Sequence, residues 1–384
     1  MRVADLIQTM QRLAPLEFAE PWDRVGLQLG RDDADLRSGV LLTIDLTERV
    51  LTEAIERDVG AIIAYHPPLW TPPERLTDAT SKERVLLGAA EAKIARYAPH
   101  TALDAAPGGV TDWLCAALAD ADFDPQHAKL PGDVRALRSA ERRSHNQEAK
   151  VVTFLPASAI DQVRNAMASA GAGIIGQYRV CSFSGEGEGT FFAGAGAKPA
   201  VGEAGRLETA AERRLEMVCA EHALPLVLET LRRFHPYEEP AIDVYQLRAQ
   251  PVRGAGVGRR LVLDQPVRLR DLADRLRRRL GHARIKLAPP DAADREVTHI
   301  GVVPGAGEDL APLAAGEGCE VFVTGEMRHH SVRAALHDGL CVMLAGHTNT
   351  ERGYLCHLAD RLGVEMPGVE FCVSERDADP LTPL

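Results

Sequence analysis

Residues 299–344 have the sequence HIGVVPGAGEDLAPLAAGEGCEVFVTGEMRHHSVRAALHDGLCVML, which alternates between two kinds of pattern. Short apolar runs, typical of buried strands, occupy residues 299–303, 321–324 and 341–344. Helical patterns lie between them, near residues 308–316 and 329–338. Repeated alternation of strands and helices is typical of a mainly parallel sheet covered by helices. This stretch therefore predicts an α/β fold.

The first part of the chain shows the same alternation. Apolar runs at residues 40–44 and 59–64 predict two more buried strands, each followed at once by polar residues. The apolar positions of residues 82–97 fall on one face of a helix. Together with the alternation farther along the chain, this pattern predicts a core of two α/β lobes, formed by residues 1–147 and 249–384.

The middle of the chain has a different pattern. Between residues 148 and 248 the order of signals is β-α-β-β-α-β, which is that of the ferredoxin-like motif. The patterns predict strands at 151–155, 178–183, 213–219 and 241–247, and helices at 158–170 and 224–234. The polar residues 139–147 predict a linker before this segment. We therefore expect residues 148–248 to form a domain inserted into the two-lobed core.

The composition excludes several classes of protein. The 384 residues include 44 lysines and arginines and 55 aspartates and glutamates, and the net charge of −11 argues against binding to nucleic acids or anionic membranes. No apolar run approaches the roughly 18 residues that a membrane span needs. The charged residues near the start argue against a signal peptide. The seven cysteines form no CxxC pair, which favours a reduced, cytoplasmic setting.

Two glycine-rich segments raise the question of nucleotide or anion binding. Residues 171–176, GAGIIG, match the letters of the dinucleotide fingerprint, but a predicted helix precedes them and a predicted strand follows, which reverses the order that the motif needs. We interpret them as a turn that ends a helix. Gly305-Ala306-Gly307 follows a predicted strand and precedes a helix, so it is either an anion-binding turn or an ordinary βα turn.

Histidines and carboxylates stand at the ends of several predicted elements. His66 follows one buried strand, His100 and Asp104 follow a helix–strand transition, and His347 and Glu351 follow another strand. The last two lie one turn apart if a helix begins between them, and such a pair either binds a metal or belongs to a helix cap. A parallel sheet would bring these ends to one edge. Imidazole and carboxylate without thiolate suit zinc, manganese, iron, nickel or cobalt.

Other polar residues near these ends have candidate roles of their own. Glu326, His329 and His330 follow the predicted strand at 321–324. The two histidines are acid/base groups or helix-surface residues in preference to metal ligands. Asp23 is interpreted as a turn residue with a structural role.

These motifs together resemble those of a known family, the Ngg-interacting-factor-three-like proteins, often labelled GTP cyclohydrolase 1 type 2 homologues. The motifs that carry the resemblance are EFAEPWDRVGLQLG at 17–30, YHPPLW at 65–70, HTALDAAPGGV at 100–110, VFVTGEMRHH at 321–330 and GHTNTERG at 346–353. The middle segment is similar to the PII/CutA-like domain inserted in longer members, through GAGIIGQYRVCSF at 171–183 and HPYEEPAIDVY at 235–245.

The resemblance implies a dinuclear metal centre between two α/β lobes and a ring-shaped homohexamer. Carried over by position, His66 and Asp104 serve one ion, His347 serves the other, and Glu351 bridges both. Tyr65 stands where bacterial members usually have a first histidine. Because a neutral phenol is a poor ligand, we expect the second ion to bind more weakly than the first.

The resemblance also implies a metal-dependent hydrolase in which water attacks a purine-type ring carbon. Glu326, His329 or His330 would move protons, and Tyr65 would donate a hydrogen bond. A noncatalytic assembly that senses a metal or a ligand is one alternative, and a two-metal phosphoesterase is another. The expected partners are copies of this chain and a small-molecule substrate such as a purine nucleotide, with neither a membrane nor a nucleic acid.

Overall fold

A computed structural model of the protein describes residues 1–71, 75–124, 132–142, 146–281 and 284–381. The α-helices are α1 Val3–Leu13, α2 Glu48–Glu56, α3 Ser81–Glu91, α4 His100–Ala105, α5 Val110–Leu118, α6 Ile160–Ser169, α7 Leu224–Phe234, α8 Leu269–Arg279, α9 Ala311–Gly316, α10 His329–His337, α11 Asn349–Arg352 and α12 Tyr354–Glu365. The strands are β1 Gly26–Leu29, β2 Gly39–Thr43, β3 Ala61–Ala64, β4 Ala95–Ala98, β5 Asp133–Arg142, β6 Ala149–Leu155, β7 Phe183–Phe192, β8 Leu207–Cys219, β9 Ile242–Gln246, β10 Gln250–Arg268, β11 Lys286–Ala288, β12 Glu296–Val302, β13 Val321–Thr324, β14 Cys341–Leu344 and β15 Glu370–Val373.

The contacts divide the chain into two units. The larger unit contains Met1–Ala140 and Val252–Leu384, and the smaller unit contains Glu141–Pro251. No helix among the described residues is both long and apolar enough to cross a membrane.

The first sheet of the larger unit has five strands in the order β1-β4-β3-β2-β15. Strands β4, β3, β2 and β15 run parallel to their neighbours, and β1 pairs with β4 antiparallel. Its central strands are buried and almost wholly apolar, because a parallel sheet is covered on both faces. Strand β15 comes from the far end of the chain and pairs residues 370–373 with residues 39–42.

The second sheet of the larger unit has six strands in the order β11-β14-β13-β12-β10-β5. Strands β12, β13 and β14 are parallel, whereas β11 and β10 pair antiparallel with their neighbours. Helices and strands alternate through both sheets. The prediction of an α/β class is therefore confirmed.

The smaller unit has the element order β6-α6-β7-β8-α7-β9. Its sheet is antiparallel, with the strand order β7-β8-β6-β9. Helices α6 and α7 pack against each other. Their apolar faces form a core with one side of the sheet, in which Val151, Val163, Leu215 and Val227 are fully buried.

Three local predictions were wrong in part. The predicted helix 82–97 ends at Glu91, because Lys93 has a left-handed backbone conformation with φ 55° and the buried residues after it form β4. The strand predicted at 178–183 begins only at Phe183 and continues through the Gly-rich segment, where β7 pairs with β8. Residues 139–142 of the predicted linker belong to β5, and residues 143–145 lie outside the described residues.

Close packing between α5 and the junction of α11 with α12 fixes the segment that carries Glu351. Every residue of α5 is buried. A Cβ atom built on Gly353 would lie 2.7 Å from the indole of Trp113, so only glycine fits there. Since Gly353 directly follows α11, this contact holds the short helix against the core of the larger unit.

Candidate metal centre

The candidate centre lies at the carboxyl ends of strands from both sheets of the larger unit. His66 follows β3, His100 follows β4, and His347 follows β14. Strands β3 and β4 belong to the five-stranded sheet, whereas β14 belongs to the six-stranded sheet. The expectation of a single sheet edge was therefore wrong: two sheets supply the residues.

His66, His347 and Glu351 offer ligand atoms that all lie within 4.8 Å of one another. One oxygen of Glu351, Oε2, lies 3.4 Å from Nε2 of His66. The other oxygen, Oε1, lies 3.4 Å from Nε2 of His347. A single carboxylate thus faces two imidazole nitrogens, one with each oxygen. These three residues form what we call the triad.

Each imidazole of the triad donates a hydrogen bond from Nδ1 to a carboxylate on the side of the ring away from Glu351. Nδ1 of His66 donates a hydrogen bond to Asp45 at 2.9 Å, and Nδ1 of His347 donates one to Glu326 at 2.8 Å. Such partners orient metal-binding histidines and leave Nε2 free to coordinate. Sequence reasoning missed Asp45, although it directly follows the strand run 40–44 and so occupies the same kind of position as His66.

The charged groups around His66 affect the pKa of its imidazole. Burial by itself lowers the pKa of the imidazole, but the hydrogen bond to Asp45 and the negative charges of Asp45 and Glu351 outweigh burial and raise that pKa to about 10. The same pairing lowers the pKa of the Asp45 carboxyl group. The protein therefore places concentrated negative charge around the two imidazoles, as a site for a cation requires.

The residues present fit a divalent cation. Glu351 is only 3% exposed, and its Oε2 atom is buried without a hydrogen-bond partner among the residues that the structure describes. Gly305 lines the same place with φ +60°, and a Cβ atom there would lie 2.6 Å from Oε1 of Glu351 and 3.1 Å from Nε2 of His347. The absence of a side chain at residue 305 thus leaves a space beside the ligand atoms. Two imidazoles and a carboxylate form a donor set that zinc and similar ions accept.

Tyr65 and Asp104 form a second buried pair beside the triad. The phenolic hydroxyl of Tyr65 donates a short hydrogen bond to Oδ1 of Asp104. Burial raises the pKa of the Asp104 carboxyl group to about 7, and burial together with the negative charge of Asp104 raises the pKa of Tyr65 well above its ordinary value. Asp104 lines the same cavity as the triad, but its ligand atoms fall outside the group of close donors.

Asp23 holds His100 in place, a role that the sequence did not reveal. Its Oδ2 atom accepts hydrogen bonds from Nδ1 of His100 at 2.8 Å, from the backbone N–H of Thr101 at 3.1 Å and from the Thr101 hydroxyl. Burial favours a higher pKa for Asp23, but the hydrogen bond and charge of His100 outweigh it and lower that pKa. The His100 ring contacts the rings of Tyr65 and His66, with centroids 5.5 and 5.4 Å apart.

The two histidines at the start of α10 lie apart from this network. His329 and His330 are exposed, and their rings contact each other with centroids 5.5 Å apart. Glu326 is hydrogen-bonded to His347 of the triad. Among the described residues, no contact found joins His329 or His330 to the triad.

The amides of both glycines in the Gly305-Ala306-Gly307 turn are already occupied. The N–H of Gly305 donates to the Thr350 hydroxyl at 2.8 Å, and the N–H of Gly307 donates to the Thr324 hydroxyl at 3.1 Å. An ordinary βα turn, rather than an anion site, explains this segment.

Comparison with known proteins gives a consistent result. Residues 1–380 match the model of one protein family, described as Duf34/NIF3 (NGG1p interacting factor 3). A Bacillus subtilis (strain 168) protein named GTP cyclohydrolase 1 type 2 homolog is 33% identical over 380 residues, which are 98% of this chain and 97% of that protein. The human protein named NIF3-like protein 1 is 30% identical over 384 residues, which are 99% of this chain and 92% of that protein.

Solved structures are similar over the full length. A Bacillus cereus protein related to NIF3 has a TM-score of 0.66 and 28% identity, covering 100% of this chain and 99% of that chain. The Staphylococcus aureus protein SA1388 has a TM-score of 0.77 at 22% identity, with 100% and 99% coverage, and shares the fold.

Proposed function

The chain belongs to the Duf34/NIF3 family, and we propose that it is a metal-dependent hydrolase in which water attacks a ring carbon of a purine-type substrate. The name of the Bacillus subtilis relative, GTP cyclohydrolase 1 type 2 homolog, suggests this reaction class. The observation that carries the proposal is the position of Glu351, whose two oxygens each face one imidazole nitrogen at 3.4 Å. A carboxylate so placed is suited to bridge two ions.

We assign His66, His347 and Glu351 by this geometry, and Asp104 by the family pattern alone. His66, Asp104 and Glu351 would hold one divalent ion, and His347 with Glu351 would hold the second. Zinc, manganese, iron, nickel and cobalt all accept this donor set. Ions bound there would polarise the substrate and lower the pKa of a bound water molecule. The family pattern assigns Tyr65 to a ligand position of the second ion, and burial with the negative charge of Asp104 raises the pKa of this phenol, so the second ion binds more weakly.

The surrounding side chains have separate roles in this proposal. Asp45 and Glu326 keep the Nε2 atoms of the two triad histidines directed at Glu351. Tyr65 donates a hydrogen bond to Asp104 and keeps that carboxyl group oriented. Glu326 is 59% exposed on its side chain, so it can also exchange protons with solvent. His329 and His330 are further candidates for proton transfer from the exposed start of α10.

We also propose that the chain forms a cytoplasmic homohexamer and that residues 148–248 form a PII/CutA-like domain. The family motifs quoted above support both statements. Light scattering should give a mass six times 41.6 kDa. A monomer at micromolar concentration would contradict the assembly but not the metal chemistry.

Metal content and turnover of the purified chain test the proposed function. The parent protein should hold two equivalents of metal and open the purine ring of GTP. Glu351→Ala should lose both metal and turnover, whereas Glu375→Ala, at a side chain that is 82% exposed, should keep both. Release of phosphate from a panel of phosphoesters without ring opening would favour the phosphoesterase. Tight metal binding without any turnover would favour a sensing role.

A further inference from the structure

Two exposed tryptophans form one wall of the cavity at the metal centre. The cavity has a volume of about 490 Å³, within the range of sites for small organic ligands. The rings of Trp22 and Trp70 are stacked, with centroids 5.8 Å apart and an interplanar angle of 21°. Their side chains are 57% and 41% exposed. Large aromatic rings that remain exposed beside a cavity are typical of a binding surface rather than of a core.

The tryptophan pair lies one imidazole ring away from the triad. The ring of His100 is nearly perpendicular to both indoles, at 73° to Trp22 and 86° to Trp70, with centroids 6.1 Å and 5.4 Å away. The same ring lies 5.4 Å from the ring of His66. Asp23 fixes the orientation of His100 through the hydrogen bond at Nδ1. A flat group stacked on the indoles would therefore lie beside the candidate metal ligands.

The charges in this cavity disfavour a polyanion. Arg138 is the only arginine or lysine among the described residues that line it, and its guanidinium is already paired with Glu20 at 2.7 Å. Five carboxyl groups line the same cavity: Glu20, Asp45, Asp104, Asp309 and Glu351. The net negative charge of the protein side chains would repel phosphate groups, whereas it would not repel an uncharged ring.

We propose that Trp22 and Trp70 bind an uncharged, planar heteroaromatic ring by stacking, and that this ring, rather than any phosphate, provides the affinity contributed by the protein. The two tryptophans are thereby the residues that select the substrate class. This inference rests on the proposed function only in taking the stacked ring as the group that is hydrolysed. It assigns the recognition to an aromatic surface that needs no metal ion.

The chelator-treated full-length chain provides the test, with guanosine and inorganic tripolyphosphate as probes. Guanosine should quench the fluorescence of the exposed tryptophans, while the third tryptophan, the buried Trp113, stays unquenched. Tripolyphosphate should neither quench nor compete. In calorimetric titrations, Trp22→Leu and Trp70→Leu should each weaken guanosine binding at least about fivefold. Tyr178→Leu, at another exposed aromatic residue in the smaller unit, should leave binding unchanged.

The inference is overturned if guanosine does not quench, if tripolyphosphate competes with it, or if both tryptophan variants bind guanosine as tightly as the parent. Turnover in the metal-loaded protein is scored separately. Guanosine binding that depends on the tryptophans, combined with no ring opening, would leave the inference standing and contradict the proposed function. Ring opening with an unchanged KM in Trp70→Leu would contradict the inference and leave the proposed function standing.

Discussion

Asp377 and Arg352 form an ion pair with 2.5 Å between Oδ2 and Nη1, and the Asp377 side chain is only 2% exposed. The same oxygen accepts a hydrogen bond from the backbone N–H of Ile44 at 2.7 Å. Arg352 directly follows Glu351, and Ile44 directly precedes Asp45. One carboxylate therefore ties the segment that carries Glu351 to the segment that orients His66.

Asp377→Asn should weaken metal binding by about 10- to 100-fold, as losses of outer-shell partners usually do. The substitution removes the ion pair and introduces an N–H donor opposite other donors, so the spacing between the two segments is no longer fixed. Calorimetric titration of the chelator-treated protein with zinc measures the effect. Asp264→Asn, at an exposed residue of the larger unit, is the control. Equal affinities in both variants would show that the tie is not needed.

Gly305→Ala should abolish tight metal binding while the protein remains folded. The new methyl group would lie 2.6 Å from Oε1 of Glu351 and 3.1 Å from Nε2 of His347, so the ligand atoms must move apart. Gly318→Ala is a matched control, because Gly318 also has a positive φ, +76°, but has open space around its Cβ position. Metal content measured by mass spectrometry should fall only in Gly305→Ala. A similar fall in both variants would point to backbone strain instead.

Tyr65→His should strengthen the weaker of the two metal positions. An imidazole can replace the buried phenol as a donor, because its neutral form coordinates at ordinary pH. During stepwise chelation, the parent should lose one equivalent of metal per chain well before the other, and the variant should lose both late. His347→Ala should lose mainly the weaker equivalent. Simultaneous loss from the parent, with no change in Tyr65→His, is the result that would refute this.

Two buried arginines of the larger unit should respond oppositely to the same substitution. Arg259 pairs with Asp112 at 2.6 Å and donates to five backbone carbonyl groups, so Arg259→Met leaves a buried charge and should destabilise by about 3–5 kcal/mol. Arg96 is 1% exposed, and its guanidinium nitrogens contact no hydrogen-bond acceptor among the described residues. Burial lowers its pKa to about 10. Arg96→Met should therefore leave stability unchanged or raise it.

Urea unfolding of both methionine variants against the parent decides this comparison. The midpoint should fall in Arg259→Met and should not fall in Arg96→Met. A fall of similar size in both would mean that Arg96 has a favourable partner.

The smaller unit should lose stability in mild acid through His235. Burial lowers the pKa of this histidine below its ordinary value of 6.5. The unfolded chain thus takes up a proton first as the pH falls, so the free energy of unfolding is highest above about pH 6.5 and declines as the pH falls from there to the folded-state pKa, below which this contribution is constant. Protonation would also break the hydrogen bond from the Tyr237 N–H to Nδ1, which is 3.1 Å long.

Hydrogen exchange of the β6 peptide, corrected for intrinsic rates, measures this effect near pH 7.5 and near pH 5. Protection should fall at the lower pH in the parent and change less in His235→Gln. Equal protection at both pH values in the parent would exclude His235 as the cause.

The local sequence pattern was sufficient to predict the bounds of two short buried strands and one helix. The predicted bounds of Val321–Thr324, Cys341–Leu344 and Leu224–Phe234 agree with the structure, because apolar runs and apolar helix faces are set by burial alone. Strand β4 was missed because its sequence, ARYA, contains an arginine and continues the helical spacing of α3. Strand β7 alternates glycine and glutamate, so its pairing with β8 determines its conformation more than its own side chains do.

The site was predictable where motifs mark it and not where distant residues meet. His66, His347 and Glu351 stand in distinctive motifs directly after strands, and the structure brings them together. The contacts of Asp23 with His100, and of Asp377 with Arg352, join residues far apart in the sequence. No periodicity or spacing encodes such pairs, because they depend on how the two sheets come together in the folded unit.

The order in which the chain is synthesised gives the pairing of β15 with β2 a further meaning. Strand β2 and His66 leave the ribosome before their partners β15, Glu351 and Asp377, because those partners lie about 285 to 330 residues later in the sequence. A polypeptide cut short by a premature stop before residue 351 lacks the Glu351 carboxylate, and one cut short before residue 370 also lacks the edge strand of the first sheet. The triad and the sheet beside it are therefore complete only after the segment through residue 373 has been translated.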